Sequence, residues 1–322
     1  MVARTGVAVL LMLTGCRGQP APEAPPPTGS AAAQTRAPAT VDASVNADAE
    51  ILDGAVTAAV DAEASVPPMP APAGMLLVPA GTFTMGTSTA GEGDERPAHE
   101  VTVSAFYLDA TEVTQAAYEQ CVVEKVCAPP SVDVLPLTHP FRGPHKPVVA
   151  VSWFDASKYC AWRGARLPRE AEFERAVRDD DGRRYPWGND APSHERAVFA
   201  TSGPEDVATH PGGRGPYGHD DLAGNVWEWM DDDYDPFAYT RPTAGTGKPG
   251  SCKEIEQAQN DLRTQGKQGF TGSNPIPDVC EKSIRGGAYN YPPDGLRSTN
   301  RVHHPPRYKL KMTGIRCAKD AH

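Results

Sequence analysis

The sequence predicts an α+β domain with long irregular connections, preceded by an N-terminal extension of a different character. Short segments of alternating apolar residues predict strands, and three segments with helical spacing begin at residues that favour helix starts. From Pro186 onward, Gly, Pro, Asp and Asn are so frequent that loops should dominate. A chain of 322 residues has room for one large domain plus an unfolded segment.

The first elements of the predicted domain are strands. Residues 75–79 and 82–85 read as two short strands around the Ala80–Gly81 turn, and alternation over 101–105 predicts a third strand. We find no internal repeat of fixed period, which excludes solenoids and propellers. The expected organisation is therefore a single domain over residues 73–322.

Three helices are expected, each from a signal at its start. Thr114 is a good N-cap residue, the Ser152–Asp155 segment resembles a capping box, and Pro168 suits a first turn. Apolar residues at helical spacing follow these starts: Ala117, Cys121 and Val122; Ala156, Tyr159 and Cys160; and Phe173, Ala176 and Val177.

The N-terminus predicts export and lipidation. Residues 1–15 form a signal peptide with a basic start and a short apolar core, too short to span a bilayer. Leu13–Cys16 resembles the lipobox of bacterial lipoproteins, in which Cys16 carries the lipid; the alternative is an ordinary signal with a chance cysteine. Arg17 stands where Asp would favour inner-membrane retention. We therefore expect a lipid-anchored protein of the bacterial cell envelope, in the outer membrane.

The segment after the lipidation site predicts a tether, so that residues 16–72 are expected to be a lipidated, disordered, Pro/Ala-rich stretch. Residues 17–72 include 16 Ala and 10 Pro, with seven acidic residues, two basic residues and no aromatic residue. Such a composition cannot bury enough apolar surface to offset the entropy of ordering.

Charge and hydropathy exclude a nucleic-acid binder and a membrane-spanning helix, and the cysteine count indicates disulfides. The net charge of −10 argues against a nucleic-acid partner, and no apolar stretch is long enough for a spanning helix. Seven cysteines include Cys16, and the other six allow up to three disulfides in an oxidising compartment, with 15 possible pairings. The short separation of Cys121 and Cys127 makes that pair geometrically easy.

Motifs spread over about 240 residues resemble one family, the sulfatase-modifying factor family, whose founding member is the formylglycine-generating enzyme. The matching segments are 75–86, 106–114, 147–153, 159–174, 185–188, 221–229, 285–289 and 314–317. The resemblance implies a variant of the C-type-lectin fold with little regular secondary structure. It also implies a Cys160–Cys317 disulfide, which leaves Cys121–Cys127 and Cys252–Cys280.

The resemblance does not extend to the copper-binding cysteines of the family. The formylglycine-generating enzyme binds copper(I) through two cysteines after a Gly-Gly-Ser-Tyr segment, and soft thiolates suit that ion. The corresponding stretch here, 286–296, contains no cysteine. The first thiol position falls on Tyr291, the second falls between Pro293 and Leu296, the serine is replaced by Ala288 and the histidine by Pro292. We therefore expect no copper and no formylglycine-generating activity.

The resemblance also implies a structural calcium site, and its ligand positions match the family better than the copper positions do. The family positions that hold calcium through side chains and backbone carbonyls correspond to Asp221, Gly224, Val226 and Glu228. Hard oxygen ligands of this kind suit calcium. The alternative is that Asp221 and Glu228 pair with nearby cations or cap loops. The acidic run 231–233 together with Asp235 could form a cation site, but we expect a solvated acidic loop.

Three functions remain open. The first is a non-catalytic binding module for a peptide, a glycan or an envelope protein. The second is an exported oxidoreductase or tailoring enzyme that works without the copper cysteines, and the third is a structural envelope lipoprotein. For the binding module we expect a candidate groove that comprises Tyr289, Asn290, Tyr291, Arg301 and His303.

Overall fold

The computed structural model describes residues 71–321 except 90, 137 and 266–279. The predictions for the signal peptide, for Cys16 and for the tether up to residue 70 lie outside the described residues. Within the described part of the chain, no helix is both long and apolar enough to cross a membrane.

Within the residues that the structure describes, nine short strands form three sheets. The first sheet has the order β1-β4-β9 and is antiparallel, the second is the hairpin β2-β3, and the third has the order β7-β6-β5-β8. In the third sheet β5 pairs antiparallel with β6 and parallel with β8. The strands are β1 Met75–Val78, β2 Gly81–Met85, β3 His99–Val103, β4 Phe106–Asp109, β5 Trp227–Asp233, β6 Lys282–Arg285, β7 Val302–His304, β8 Thr313–Gly314 and β9 Ala318–Asp320.

Four α-helices accompany the sheets in the described ranges, and the predicted caps at two of them are present. The Thr114 hydroxyl accepts a hydrogen bond from the backbone of Ala117, and Ser152 and Asp155 form a reciprocal capping box. The third predicted helix begins at Glu170, two residues after Pro168. The helices are α1 Gln115–Val123, α2 Trp153–Trp162, α3 Glu170–Arg178 and α4 Cys252–Thr264.

The core lies around β5. Trp227, Glu228, Trp229 and Met230 are all buried, because neighbouring strands flank β5 and both α2 and α3 contact it. The α+β class is confirmed. The sequence did not predict β4 to β9, most of which are only two to four residues long, and it did not predict α4, a helix of 13 residues.

The structure contains three disulfides, Cys121–Cys127, Cys160–Cys317 and Cys252–Cys280, which are the pairs that the resemblance implied. Cys160–Cys317 joins α2 to the residue before β9 across 157 positions, with a Cα–Cα distance of 5.6 Å, and both residues are buried. It closes the longest of the three covalent loops and ties the C-terminal strand to the domain centre.

We predict that loss of this long-range disulfide costs far more than loss of the local one. In the chain-entropy model a loop of this length contributes about 4–5 kcal/mol, against about 2–2.5 for a loop of six or seven residues. The free energy of unfolding of Cys160→Ala/Cys317→Ala should therefore fall more than that of Cys121→Ala/Cys127→Ala. Equal losses in denaturant unfolding would contradict this, as would free thiols at both positions in peptide maps of the native protein.

Candidate functional site

The turn that follows β6 contains the positions to which the resemblance assigns the copper thiols. Ala288 is fully buried, and the backbone N–H of Tyr289 donates to the carbonyl of Asn225 at 2.8 Å. The Tyr291 carbonyl accepts from the N–H of Ala200 at 2.9 Å, and its ring meets the Trp227 ring edge-on with 5.1 Å between centroids. The turn is thus held on both sides by backbone hydrogen bonds and packs on the core.

Among the residues that the structure describes, no free thiol lies in this turn or around it. The chain has seven cysteines, six of them form the three disulfides, and the seventh is Cys16. A group of potential metal ligands in the described residues, Cys252, Glu256 and Cys280, offers two disulfide sulfurs and a hard carboxylate, but no thiolate. The residues present therefore do not fit copper(I), which needs thiolates or similar soft donors.

The structure does not assemble the candidate groove that we expected. Tyr289 is only 6% exposed and packs edge-on against Phe141, whereas Asn290 is exposed and Tyr291 is half-buried. Arg301 is 3% exposed, so the prediction that it lines a surface is corrected. Its guanidinium has carboxylate partners in the interior and is not available to a ligand.

His303 lies apart from the turn, on the edge strand β7. Its ring stacks on Tyr234 with 3.9 Å between centroids and contacts the carboxylate of Glu281. Tyr234 in turn donates its hydroxyl hydrogen to Asp94 at 2.6 Å. The neighbouring His304 faces Tyr308 instead, with 6.2 Å between centroids. The two histidines therefore have different neighbours, as the alternation of a strand requires.

Arg301 belongs to a buried ionic cluster that links α3 to β6 and β7. It donates to both carboxylate oxygens of Glu170, at 3.0 and 2.7 Å, and Arg285 contacts both Glu170 and Glu174. Burial alone would raise the pKa of Glu170, but the two guanidinium groups outweigh it and hold that pKa below its ordinary value. The cluster is a structural connection and not an open site.

Asp232 lies at the edge of this cluster. The prediction that the run 231–233 is a solvated loop is therefore wrong. The run is the end of β5, and Asp232 is buried with its carboxylate accepting from the N–H of Glu170 at 2.7 Å. Burial and the nearby charge of Glu170 raise the pKa of Asp232 to about 7. Sequence reasoning missed this residue because a triple Asp gives no indication of burial.

The predicted calcium ligands lie in a tight loop that leads into β5. Asp221 and Gly224 have positive φ angles of 58° and 93°, and a Cβ at Gly224 would lie 2.5 Å from the carbonyl oxygen of Val198. A side chain at Gly224 would therefore displace the loop. The Asp221 carboxylate accepts from the N–H of Ala208 at 2.6 Å. Val226 is fully buried directly before the strand.

Glu228 has a cationic partner inside the protein. Arg316 donates to both of its carboxylate oxygens at 2.9 to 3.0 Å, and both side chains are fully buried. Arg316 also donates to the carbonyls of Asp109 and Asp220, at 2.8 and 2.9 Å. Glu228 is thus an ion-pair partner in this structure, which is the alternative that the sequence left open.

The charges around this pair do not balance. Three buried carboxylates, Glu112, Asp221 and Glu228, act on one another and on the single guanidinium of Arg316. Burial raises the pKa of all three, and Glu112 Oε1 is buried with no hydrogen-bond partner in the described part of the chain. Excess negative charge together with oxygen donors fits a hard divalent cation such as calcium. Asp221 with the carbonyls of Gly224 and Val226 would hold it, whereas both carboxylate oxygens of Glu228 are already bound by Arg316.

Comparison with known proteins establishes the family. Residues 62–321 match the sulfatase-modifying factor enzyme 1-like domain. The chain belongs to this family. It is 30% identical over 319 residues to the formylglycine-generating enzyme of Bos taurus, covering 81% of this chain and 79% of that protein. It is 33% identical over 214 residues to the inactive C-alpha-formylglycine-generating enzyme 2 of Mus musculus, covering 50% and 70%.

Two further matches show how widely the domain is used. The chain is 31% identical over 290 residues to the serine/threonine-protein kinase pkn1 of Chlamydia pneumoniae, covering 84% of this chain but only 42% of the kinase. Among solved structures, PvdO from Pseudomonas aeruginosa superposes with a TM-score of 0.55 at 25% identity, covering 76% of this chain and 94% of PvdO. The family assignment and the fold are thus shown, whereas the activity varies among the matched proteins.

We predict that Asp232 makes the stability of the family domain fall with rising pH. Because its pKa is near 7 when folded and lower when unfolded, the folded state holds a proton more tightly, and stability is lost between about pH 4 and 7. Asp232→Asn should remove this loss, which amounts to at most about 4 kcal/mol over the whole range. Urea unfolding from pH 5 to 8 measures it, with Asp231→Asn at the exposed neighbouring position as control. Parallel profiles for native and Asp232→Asn chains would refute the assignment.

Proposed function

We propose that this chain is a lipid-anchored protein of the bacterial cell envelope whose formylglycine-generating-enzyme-like domain acts as a non-catalytic binding module. The main support for a non-catalytic domain is the cysteine count. Six cysteines form disulfides, and the seventh, Cys16, lies in the predicted lipobox. No thiolate pair is left to bind copper(I) and activate oxygen. The identity to a mammalian relative named as inactive supports the same reading.

The ordered contacts of the turn after β6 support a binding role for the domain. The turn makes backbone hydrogen bonds to Asn225 and Ala200, and the Tyr291 ring packs against Trp227. A stable scaffold without its redox ligands can still present side chains to a partner. The partner is a peptide, a glycan or another envelope protein, and the membrane is reached through the lipid on Cys16.

A structural calcium ion is part of the proposal. Three buried carboxylates with one guanidinium, and an unpartnered oxygen on Glu112, favour a bound cation in the loop 221–228. The ion would neutralise charge and fix the loop that leads into β5. It would have no role in a reaction.

The anchoring prediction concerns Cys16. Cys16→Ser should move the protein from the membrane fraction to the soluble envelope fraction, or block its processing, because the lipid is attached to that thiol. Fractionation followed by blotting measures this, with Thr14→Ser as a control that leaves the thiol in place. Retention of Cys16→Ser in the membrane fraction would contradict the anchor.

The calcium prediction is a shift in melting temperature. Calcium added to metal-stripped protein should raise the melting temperature, since an ion that binds only the folded state stabilises it. Asp221→Asn should abolish most of the shift, and the exposed Asp181→Asn should keep it. Glu228→Ala is a poor test because it leaves Arg316 buried without its partner. Identical melting curves with calcium and with chelator would rule out the site.

The catalytic prediction is negative. The full chain supplied with copper(I), oxygen and a sulfatase-type cysteine peptide should yield no formylglycine, because no pair of free thiolates exists to hold the metal. The bovine enzyme assayed in parallel shows that the peptide and the copper are competent. A peptide mass corresponding to the aldehyde would overturn the proposal and favour the alternative, an exported oxidoreductase that works without the copper cysteines.

A further inference from the structure

The described part of the chain exposes few large hydrophobic side chains, and two of them lie on one surface. Phe154 in the first turn of α2 is 58% exposed, and Tyr308 in the turn after β7 is 48% exposed. Lys158 follows Phe154 by four residues and so shares its helix face, whereas Arg307 and Lys309 flank Tyr308. We call these five residues the aromatic–cationic surface.

Contacts through Trp153 hold the two halves of this surface together. The Trp153 N–H donates to the carbonyl of Pro306 at 2.9 Å, and its indole N–H donates to the carbonyl of Met230 at 2.8 Å. Lys309 pairs with Asp155 at 2.9 Å, which joins the turn to α2 a second time. The exposed aromatic rings therefore stand on a fixed base, and binding would cost little ordering entropy.

The charge on this surface is opposite to that of the chain. Residues 295–319 contain seven Lys and Arg and no Asp or Glu, in a chain with a net charge of −10. Arg301 and Arg316 are buried in ion pairs, but Arg307, Lys309 and Lys311 are exposed. Lys158 adds a further exposed cation from α2. A negatively charged ligand is therefore attracted here and repelled by much of the remaining surface.

Three anionic partners are possible: a lipid bilayer, an acidic polysaccharide and an acidic peptide. The aromatic rings, the cations and the Asp155 carboxylate of this surface favour the polysaccharide. A bilayer surface favours a continuous apolar face, but the Asp155–Lys309 pair lies on the same stretch as Phe154 and Tyr308. A sugar ring presents C–H groups to the negative face of an aromatic ring while its acidic substituents reach nearby cations. An acidic peptide would use the cations and has no equivalent need for two exposed rings.

We propose that the aromatic–cationic surface binds an acidic polysaccharide, with sugar rings on Phe154 and Tyr308 and carboxylates or phosphates on Lys158 and Arg307. This deepens the binding-module function and rests on it, because it names the class of the partner. The surface is separate from the turn after β6 and from the loop 221–228.

The experiment measures binding of polygalacturonate to the full chain carrying Cys16→Ser, which has no lipid that could bind a membrane by itself. We expect polygalacturonate to bind and neutral dextran not to bind. Polyglutamate at equal charge should bind about tenfold more weakly, because it has no rings to stack on two aromatic side chains. High salt should weaken the polygalacturonate complex.

Variants separate this surface from general charge effects. Phe154→Ala/Tyr308→Ala should bind polygalacturonate about tenfold more weakly, and Phe154→Tyr should bind like the native chain. Val123→Ala, at a hydrophobic residue that is 69% exposed on α1, is the matched control and should change nothing. Unchanged melting curves would show that the variants are folded.

The outcomes distinguish this inference from the function on which it rests. Equal affinity for polyglutamate and polygalacturonate, or tighter binding to phosphatidylglycerol vesicles than to either polymer, would overturn the polysaccharide proposal. So would full affinity in Phe154→Ala/Tyr308→Ala. Each of these results leaves the non-catalytic proposal standing, because that proposal fails only if the copper assay yields the aldehyde.

Discussion

The buried ion pair between Arg316 and Glu228 is the constraint on which this domain depends. A guanidinium without exposure to water is tolerated only where its donors are matched, and Arg316 finds Glu228 on β5 and the carbonyls of Asp109 and Asp220. The pair therefore fixes the C-terminal segment against β5 and the end of β4. The adjacent Cys317 adds a covalent bond to Cys160 on α2 at the same place. The hydrogen bonds of Arg316 and the disulfide of Cys317 join segments that lie up to 207 residues apart in the sequence.

A scaffold held in this way does not depend on the residues that carry chemistry in a relative. The turn after β6 is positioned by backbone hydrogen bonds to Asn225 and Ala200 and by a glycine pair with left-handed φ angles, not by the side chains at 288 and 291. The resemblance places the first thiol position on Tyr291 and the serine on Ala288, so the soft ligand is replaced while the backbone contacts hold the turn in place. Membership of the family is therefore compatible with the non-catalytic binding role that we propose.

The sequence predicted the features that local signals encode. Thr114 and the Ser152–Asp155 box mark helix starts because capping is decided within four residues, and the motifs around Cys160 and Cys317 implied their disulfide. It could not predict the partners of isolated charges. Arg301 was expected in a groove but lies on Glu170, and Asp232 was expected in solvent but lies against the start of α3. Both outcomes depend on contacts between residues about 60 to 130 positions apart, for which a single sequence carries no periodic signal.

We propose that the turn after β6 has the backbone of a copper site and lacks only the thiol ligands. A Cβ at Gly295 would lie 3.2 Å from the Cβ of Tyr291, so Tyr291→Cys/Gly295→Cys places two thiols side by side in the turn. The direct measurement is a copper(I) titration of this reduced variant beside the native chain, with the native disulfides intact in both. We expect the variant to bind one copper(I) and the native chain to bind none. Stoichiometric binding by the native chain, or no binding by the folded variant, would contradict it.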